Sequence, residues 1–337
     1  MSHEQQIASV MGLDVLELRP LGGGACQDNF SLRVREGAGE RRFALRSDAA
    51  MSLPGSIGRE QEFPVIQAAV AAGVPTPAVS SLRQGVIREG AWCYLMDWAE
   101  GEAIGSKVVK KPELARARQR LPEQLARALA AVHSVTPDQV ELPIQRTAPE
   151  VAVADLYALL DSLGEARPEL ELALRWARDH LPSEAETTLV HGDFRTGNFL
   201  VDEGGLVALL DWEFARWGDP HEDLAWLCVR DWRFGQIKQT AGGITTRGDL
   251  AARYSAASGR AVDPVRLHWW EVVGNLRWGI GAVVQGQRYL KGKTRDLEML
   301  AIPRRSAEMA YEALRLIEAG PDGLGPDPLT PPTQEAR

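Results

Sequence analysis

Cysteine is scarce in this chain. There are three, Cys26, Cys93 and Cys228, an odd number at wide spacing, and no two form a CxxC pair. That excludes a disulfide scaffold and points to a reducing compartment with buried thiols. Positive charge is also short, with 38 Lys and Arg against 46 Asp and Glu and a formal net charge of −8. A general nucleic-acid or anionic-membrane binder needs a basic field, so neither partner is expected. A local phosphate site is not excluded, because a few arginines in one cleft can reverse the global sign. Long apolar runs are missing too. The most apolar late segment, 272–285, is interrupted by Asn275 and Arg277, which argues against a membrane span. The opening MSHEQQIASV has neither the basic start nor the apolar core of a signal peptide. A cytoplasmic protein is the expectation.

What is present divides in two. With 337 residues the chain is long enough for two lobes sharing a cleft. Short, partly alternating apolar runs at 16–19, 29–34, 42–46, 79–82 and 91–97 predict strands, and 62–72 predicts a helix closed by Gly73 and Pro75-Thr76-Pro77. Pro64 so close to the start of that helix puts its N-terminus in question. After Gly101 the period becomes helical. Apolar residues at helix spacing mark 123–133, at least one long helix lies within 151–180, and another spans 267–290. We expect an α+β chain with a β-rich N-terminal lobe over 1–98 and a mainly helical C-terminal lobe over 99–319. The Pro- and Gly-rich stretch 320–337 has no apolar period and is expected to be disordered.

One segment breaks the helical pattern of the second half. HGDFRTGNFL, from His191 to Leu200, puts a histidine, an aspartate, an arginine and an asparagine within eight residues. It runs into two apolar stretches, 199–201 and 206–210, separated by Asp202-Glu203-Gly204-Gly205, which is a hairpin signal. A turn centred there makes paired positions sum to 409, so that Asn198 faces Asp211. Residues directly opposed in a hairpin lie roughly 4.5–5.5 Å apart. Two oxygen donors held that closely suit a hard divalent cation such as Mg²⁺, with waters and phosphate oxygens completing its shell.

His191-Gly192-Asp193, then Asn198, then Asp211, followed by LLDWEFARWGDPHEDLAWL over 209–227, resembles the catalytic segment of the aminoglycoside phosphotransferase/choline kinase family. The resemblance covers most of the chain apart from its first residues and its tail. It implies a bilobal protein-kinase-like fold and ATP- and Mg²⁺-dependent phosphoryl transfer to a hydroxyl of a small molecule, with GTP as the alternative nucleotide. Such transfer is mainly positioning and charge neutralisation. By resemblance, Asp193 is the base for the substrate hydroxyl, and Asn198 and Asp211 are the metal ligands. His191 supports the loop, and Asp219 and Asp223 are structural acids. Arg46, at the end of Phe43-Ala44-Leu45-Arg46, stands where many relatives carry a phosphate-binding lysine, and its fork can hold phosphate bidentately. Its acidic partner is Glu62, with Glu60 the other candidate. Gly22-Gly23-Gly24 resembles the loop over the phosphates, although GxGxxG is absent. Met96-Asp97-Trp98 resembles the hinge against the adenine. The Leu-Arg strand end, the Asp-Trp-Glu after the hairpin and WWEVVGNLRWGIGAVVQG resemble the branch associated with acyl-CoA dehydrogenases, which tilts the acceptor towards a hydroxylated acyl compound rather than an aminoglycoside.

Other readings compete with this one. Gly292-Lys293-Thr294 ends like a phosphate-binding loop, but Gln287 occupies the place of the upstream glycine. A metallohydrolase built on His191, Asp193, Asp211 and His221 would explain the acids, but not Asn198 or Arg46. A nucleotide-binding pseudokinase or regulatory module is the alternative from another class, since arginine replaces the usual lysine. Arg277 and Arg288 are eleven residues apart on one predicted helix and share a face. They are either surface arginines or a site for an anionic substrate. Trp269 and Trp270 read as core.

Overall fold

The computed structural model describes residues 2–21, 27–50, 53–183, 186–292 and 297–321. The glycine run 22–24 and nearly all of the tail, 322–337, lie outside these residues. The first third folds as helix α1 (His3–Met11), strands β1 (Asp14–Pro20), β2 (Gln27–Glu36) and β3 (Gly39–Asp48), helix α2 (Arg59–Ala71), and strands β4 (Val79–Gln84) and β5 (Trp92–Asp97). The five strands form one antiparallel sheet in the order β1-β2-β3-β5-β4.

Alternation along the strands decides what each face does. Phe43, Leu45, Cys93 and Leu95 join Ile7 of α1, Leu32 and Val34 in one small core. Tyr94 and Met96 point the other way, into a core shared with Val65, Ile66 and Ala69 of α2. Arg46, next in the alternation after Ala44, therefore faces α2 and not solvent.

Helix α2 starts at Arg59, earlier than the apolar pattern indicates, with Pro64 inside it. A side chain from outside the helix starts it. The backbone N–H of Arg59 donates to Asp48 Oδ1 at 2.8 Å, satisfying one of the first-turn donors that an α-helix leaves open. Proline in the second turn then removes one internal hydrogen bond without ending the helix.

The remainder contains α3 (Gly105–Lys110), α4 (Ala115–Val132), α5 (Pro149–Asp161), α6 (Pro168–Asp179), β6 (Thr188–Val190), β7 (Phe199–Asp202), β8 (Gly205–Leu209), β9 (Arg216–Gly218), α7 (His221–Cys228), α8 (Arg247–Ser258), α9 (Pro264–Leu290), α10 (Leu297–Ala301) and α11 (Arg305–Ala319). Two helices, α5 and α6, occupy the stretch in which at least one is expected. Gly164, at φ 67°, and Pro168 at the start of α6 separate them. Helix α9 packs against α5, α6, α7 and α11. Trp269 and Trp270 are buried in it, as their spacing indicates.

The hairpin forms, but its register differs from the expected one. Phe199 pairs with Leu209 and Leu200 with Ala208, then the pairing slips to Val201 with Leu206 and Asp202 with Gly205. The turn is a side-chain turn: Asp202 Oδ1 accepts from the N–H groups of Gly204 and Gly205, at 2.7 and 3.2 Å. That tightens the loop, and the slip after Leu200 absorbs the remaining residue. Asn198 consequently lies opposite Leu210, whose N–H donates to its carbonyl at 2.9 Å. Asp211 follows with φ 63°, in the left-handed region.

Candidate active site

The loop after β6 is built around a buried carboxylate. Asp223 of α7 accepts from the backbone N–H groups of His191 and Gly192, at 2.7 and 2.9 Å, and lies 3.2 Å from His133 Nε2. Burial pushes its carboxyl up, but these donors, His133 first, outweigh burial and hold it below the usual range. Gly192 takes φ 75°, and any Cβ there would collide with the carbonyl oxygen of Phe214, so only glycine fits.

His191 is fully buried. Its Nδ1 accepts from the Asp193 N–H at 3.2 Å, and its Nε2 donates to the Leu210 carbonyl at 3.0 Å. Burial lowers its pKa, which keeps the ring neutral in that one tautomer. The ring stacks at a tilt on Trp212, with centroids 4.5 Å apart. His191 thus ties the Asp193 loop to the segment that carries Asp211.

Asp193 is held from three sides. Asn198 Nδ2 donates to its Oδ2 at 2.6 Å, the Trp226 indole N–H to Oδ1 at 2.8 Å, and Arg195 Nε to both oxygens at 3.1 and 3.3 Å. Because Asn198 turns its amide nitrogen towards Asp193, its carbonyl oxygen is turned away. The Arg195 guanidinium lies 4.6 Å from the centre of the Trp232 ring, and that of Arg277 lies 4.6 Å from Trp226 and 5.3 Å from Phe214. Arg277 also donates to the Gly192 carbonyl at 2.9 Å.

From the sheet, the Arg46 side chain, 7% exposed, reaches Asp211 Oδ1 at 2.7 Å and Glu62 Oε1 at 3.6 Å. Glu62 is fully buried, whereas Glu60 is exposed, so Glu62 is the acid beside Arg46. The Asp211 carboxyl is pushed up by desolvation, but Arg46 outweighs that and lowers it. Met96 lies inside β5, registered with Ala44 and Val79. Trp98 follows the strand and carries the Arg42 guanidinium on its ring at 3.5 Å. Gly23 and Gly24 fall outside the described residues.

The remaining acids and arginines are accounted for by contacts. Asp219 Oδ2 accepts from Arg266 and the Trp270 indole, each at 2.9 Å, and Oδ1 accepts from the His221 N–H at 2.9 Å. Arg288 is not paired with Arg277; it donates to Gln285 at 3.3 Å. Three participants carried no sequence signal strong enough to single out: Arg195, Trp226 and Arg59. Arg195 stood within the motif, two residues after Asp193. Arg59 stood at i,i+3 spacing from Glu62, and Trp226 stands 33 residues from the Asp193 carboxylate it holds.

Among the described residues, no group of three or more His, Cys, Asp or Glu side chains could hold a metal by itself. Mg²⁺ needs no such group, since it binds through one or two protein oxygens and completes its shell with water and phosphate. The Asn198 carbonyl oxygen and the Asp211 carboxylate are of that kind.

A family model described as the phosphotransferase enzyme family matches residues 17–270. The chain belongs to that family. Among solved structures, this family member superposes on a Ralstonia eutropha protein provisionally named as an aminoglycoside phosphotransferase, with a TM-score of 0.73 at 21% identity, covering 94% of this chain and 97% of that one. It also superposes on a thermostable mutant of aminoglycoside phosphotransferase APH(4)-Ia in ternary complex with AMP-PNP and hygromycin B, with a TM-score of 0.66 at 18% identity over 96% and 100% of the two chains. These likenesses show the kinase-like fold. Among curated proteins it is 27% identical over 229 residues to mouse acyl-CoA dehydrogenase family member 10, a match covering 64% of this chain and 20% of that protein. The chain thus matches only about a fifth of that relative's length. No described helix is long and apolar enough to cross a membrane.

Proposed function

We propose that the protein is an ATP- and Mg²⁺-dependent kinase that phosphorylates a hydroxyl group of a small molecule. The observation that carries this reading is the convergence of Asp193, Asn198, Asp211 and Arg46 on one cleft, with Arg46 bracketed by Asp211 and Glu62. The nucleotide held by the APH(4)-Ia neighbour supports it. In this reading Asp193 accepts the proton of the acceptor hydroxyl, the oxygen forms a bond to the γ-phosphorus, and the bond to the β,γ-bridging oxygen breaks to release ADP. Asn198 and Trp226 keep the Asp193 carboxylate aimed at the acceptor. Arg46 leaves Asp211 for the phosphates while Glu62 keeps its other side. Asn198 and Asp211 would hold Mg²⁺, which when bound neutralises charge on the phosphate oxygens. Met96 and Trp98 are assigned to the adenine hinge, and Gly23 and Gly24 to the phosphate loop, by resemblance alone.

For the acceptor we propose an anionic hydroxylated acyl compound. Two guanidinium groups, Arg195 and Arg277, stacked on Trp232 and Trp226 beside Asp193, suit an anion with an apolar part and oppose a polycation. The likeness to acyl-CoA dehydrogenase family members supports the same class.

The first test is a thermal melt with Mg·ATP and Mg·GTP. A ligand at a hundred times its dissociation constant stabilises the native state by about 2.7 kcal/mol. A midpoint rise that depends on Mg²⁺ is expected with ATP, and no rise with either nucleotide at millimolar concentration contradicts the proposal. Asp193→Ala should then abolish turnover and keep nucleotide binding. Function that survives this substitution would instead indicate a regulatory binding module.

A further inference from the structure

Five charged side chains form a closed circuit between β3, α2 and residues 211–213. Asp211 meets Arg46 at 2.7 Å, and Arg46 meets Glu62 Oε1 at 3.6 Å. Glu62 Oε2 is paired with Arg59, and Arg59 Nη2 lies 3.7 Å from Glu213 Oε2. Signs alternate throughout, and both ends lie on the same three residues, 211–213. The two arginines come from different elements, Arg46 from β3 and Arg59 from the first turn of α2.

Arg59 is 3% exposed, Glu62 is fully buried, and the Glu213 side chain is 14% exposed. Tyr94 donates to Glu62 Oε2 at 2.5 Å. Arg59 also lies 3.7 Å from Asp48 Oδ1 and donates to the Ile57 carbonyl at 3.3 Å. The neighbouring backbone repeats the link, since the Ile57 N–H donates to the Glu213 carbonyl at 2.7 Å. Buried charges are kept only where partners compensate them, and removing one partner costs far more than an exposed ion pair is worth.

Phosphate binding asks Arg46 to turn from Asp211 to an anion. When that contact opens, the circuit through Arg59 and Glu213 is what still ties Glu62 to the 211–213 segment. We infer that Arg59, paired with Glu213, is a positioning residue that keeps Glu62, and through it Arg46, in register with Asp211 whether or not nucleotide is bound. This rests on the proposed nucleotide site, and neither residue touches the reacting atoms in it.

The test is calorimetric binding of Mg·ATP, with adenosine measured by competition, to the full chain and to Arg59→Gln, Glu213→Gln and the double variant, well below their melting midpoints. Arg59→Gln should weaken Mg·ATP about tenfold or more, a typical coupling between sites, and leave adenosine within about twofold. The double variant should bind Mg·ATP no worse than Arg59→Gln alone, because both substitutions open the same circuit. A role confined to fold stability would lower the melting midpoint and leave the ratio of Mg·ATP to adenosine affinity unmoved. That unchanged ratio overturns the inference. Where Arg59→Gln does not fold, Glu213→Gln, which keeps the Arg59–Glu62 pair, carries the same expectation and the same refutation. Parent protein that binds neither Mg·ATP nor adenosine overturns the kinase proposal itself, a result distinct from a parent that binds and variants that bind equally well.

Discussion

Asp223→Asn is the most informative single change outside the reacting groups. The carboxylate takes the N–H groups of His191 and Gly192 and faces His133, all within 3.2 Å and all buried. The amide side chain has the same shape but only one accepting oxygen. Placed at Oδ2, that oxygen keeps His191 and His133 and turns an NH₂ group towards the Gly192 N–H, donor against donor. One buried N–H left without an acceptor costs about 1–3 kcal/mol, and loss of charge from the two remaining bonds adds about 1 kcal/mol. The total is about 2–4 kcal/mol. Unfolding entropy near 2.1 cal/mol/K per residue then gives a fall in melting midpoint of roughly 3–6 °C for a chain of this size. Calorimetry reads the midpoint, and fragment-resolved amide exchange reads the 191–192 backbone, which should exchange faster. The pH dependence supplies a sign. The folded carboxyl lies below its ordinary value despite burial, so its contribution is full above the unfolded pKa, near 3.9, and is lost as pH falls through the folded one. The gap between parent and variant should therefore narrow below about pH 4. A midpoint unchanged within about 1 °C, with unchanged exchange at 191–192, refutes the claim that Asp223 builds the loop preceding Asp193.

Other outcomes are expected from the same contacts. Glu62→Ala removes the fully buried acid that Arg46 and Arg59 share and should destabilise by about 3–5 kcal/mol, whereas Glu60→Ala, on an exposed position, should stay within about 0.5 kcal/mol; urea unfolding of both separates them. Trp226→Phe removes the indole donor 2.8 Å from Asp193 and should lower kcat about tenfold, the effect of one hydrogen bond of about 1.4 kcal/mol, with little change in the KM for ATP. Burial pushes Asp219 up, but His221, with Trp270 also donating, outweighs it and leaves the carboxyl at about 2. Its stabilisation, about 2 kcal/mol, is present above roughly pH 4 and should vanish as pH falls to about 2; chemical denaturation across that range should show the loss in the parent and not in Asp219→Asn.

Residue order by itself determined the architecture and the chemistry-bearing motif. Period-two runs before residue 98 and helical spacing after Gly101 reflect which faces must be apolar, and that demand is local. So is the cluster His191, Asp193, Asn198, whose members lie within one loop. The Asp202-Glu203-Gly204-Gly205 turn was legible, but its register was not, because an aspartate side chain captured two backbone N–H groups and a slip absorbed the odd residue. The start of α2 was hidden for a similar reason: the N–H of its first residue, Arg59, is satisfied by Asp48, eleven residues upstream. The choice between Glu62 and Glu60 needed the sheet, since only packing of α2 on β5 shows which acid is buried against Arg46. Trp226 meets Asp193 from 33 residues away and Arg46 meets Asp211 from 165. No local pattern encodes such pairs. They exist because the folded core brings β3, α2 and α7 to the segments that carry Asp193 and Asp211, where desolvation makes each charge require a partner.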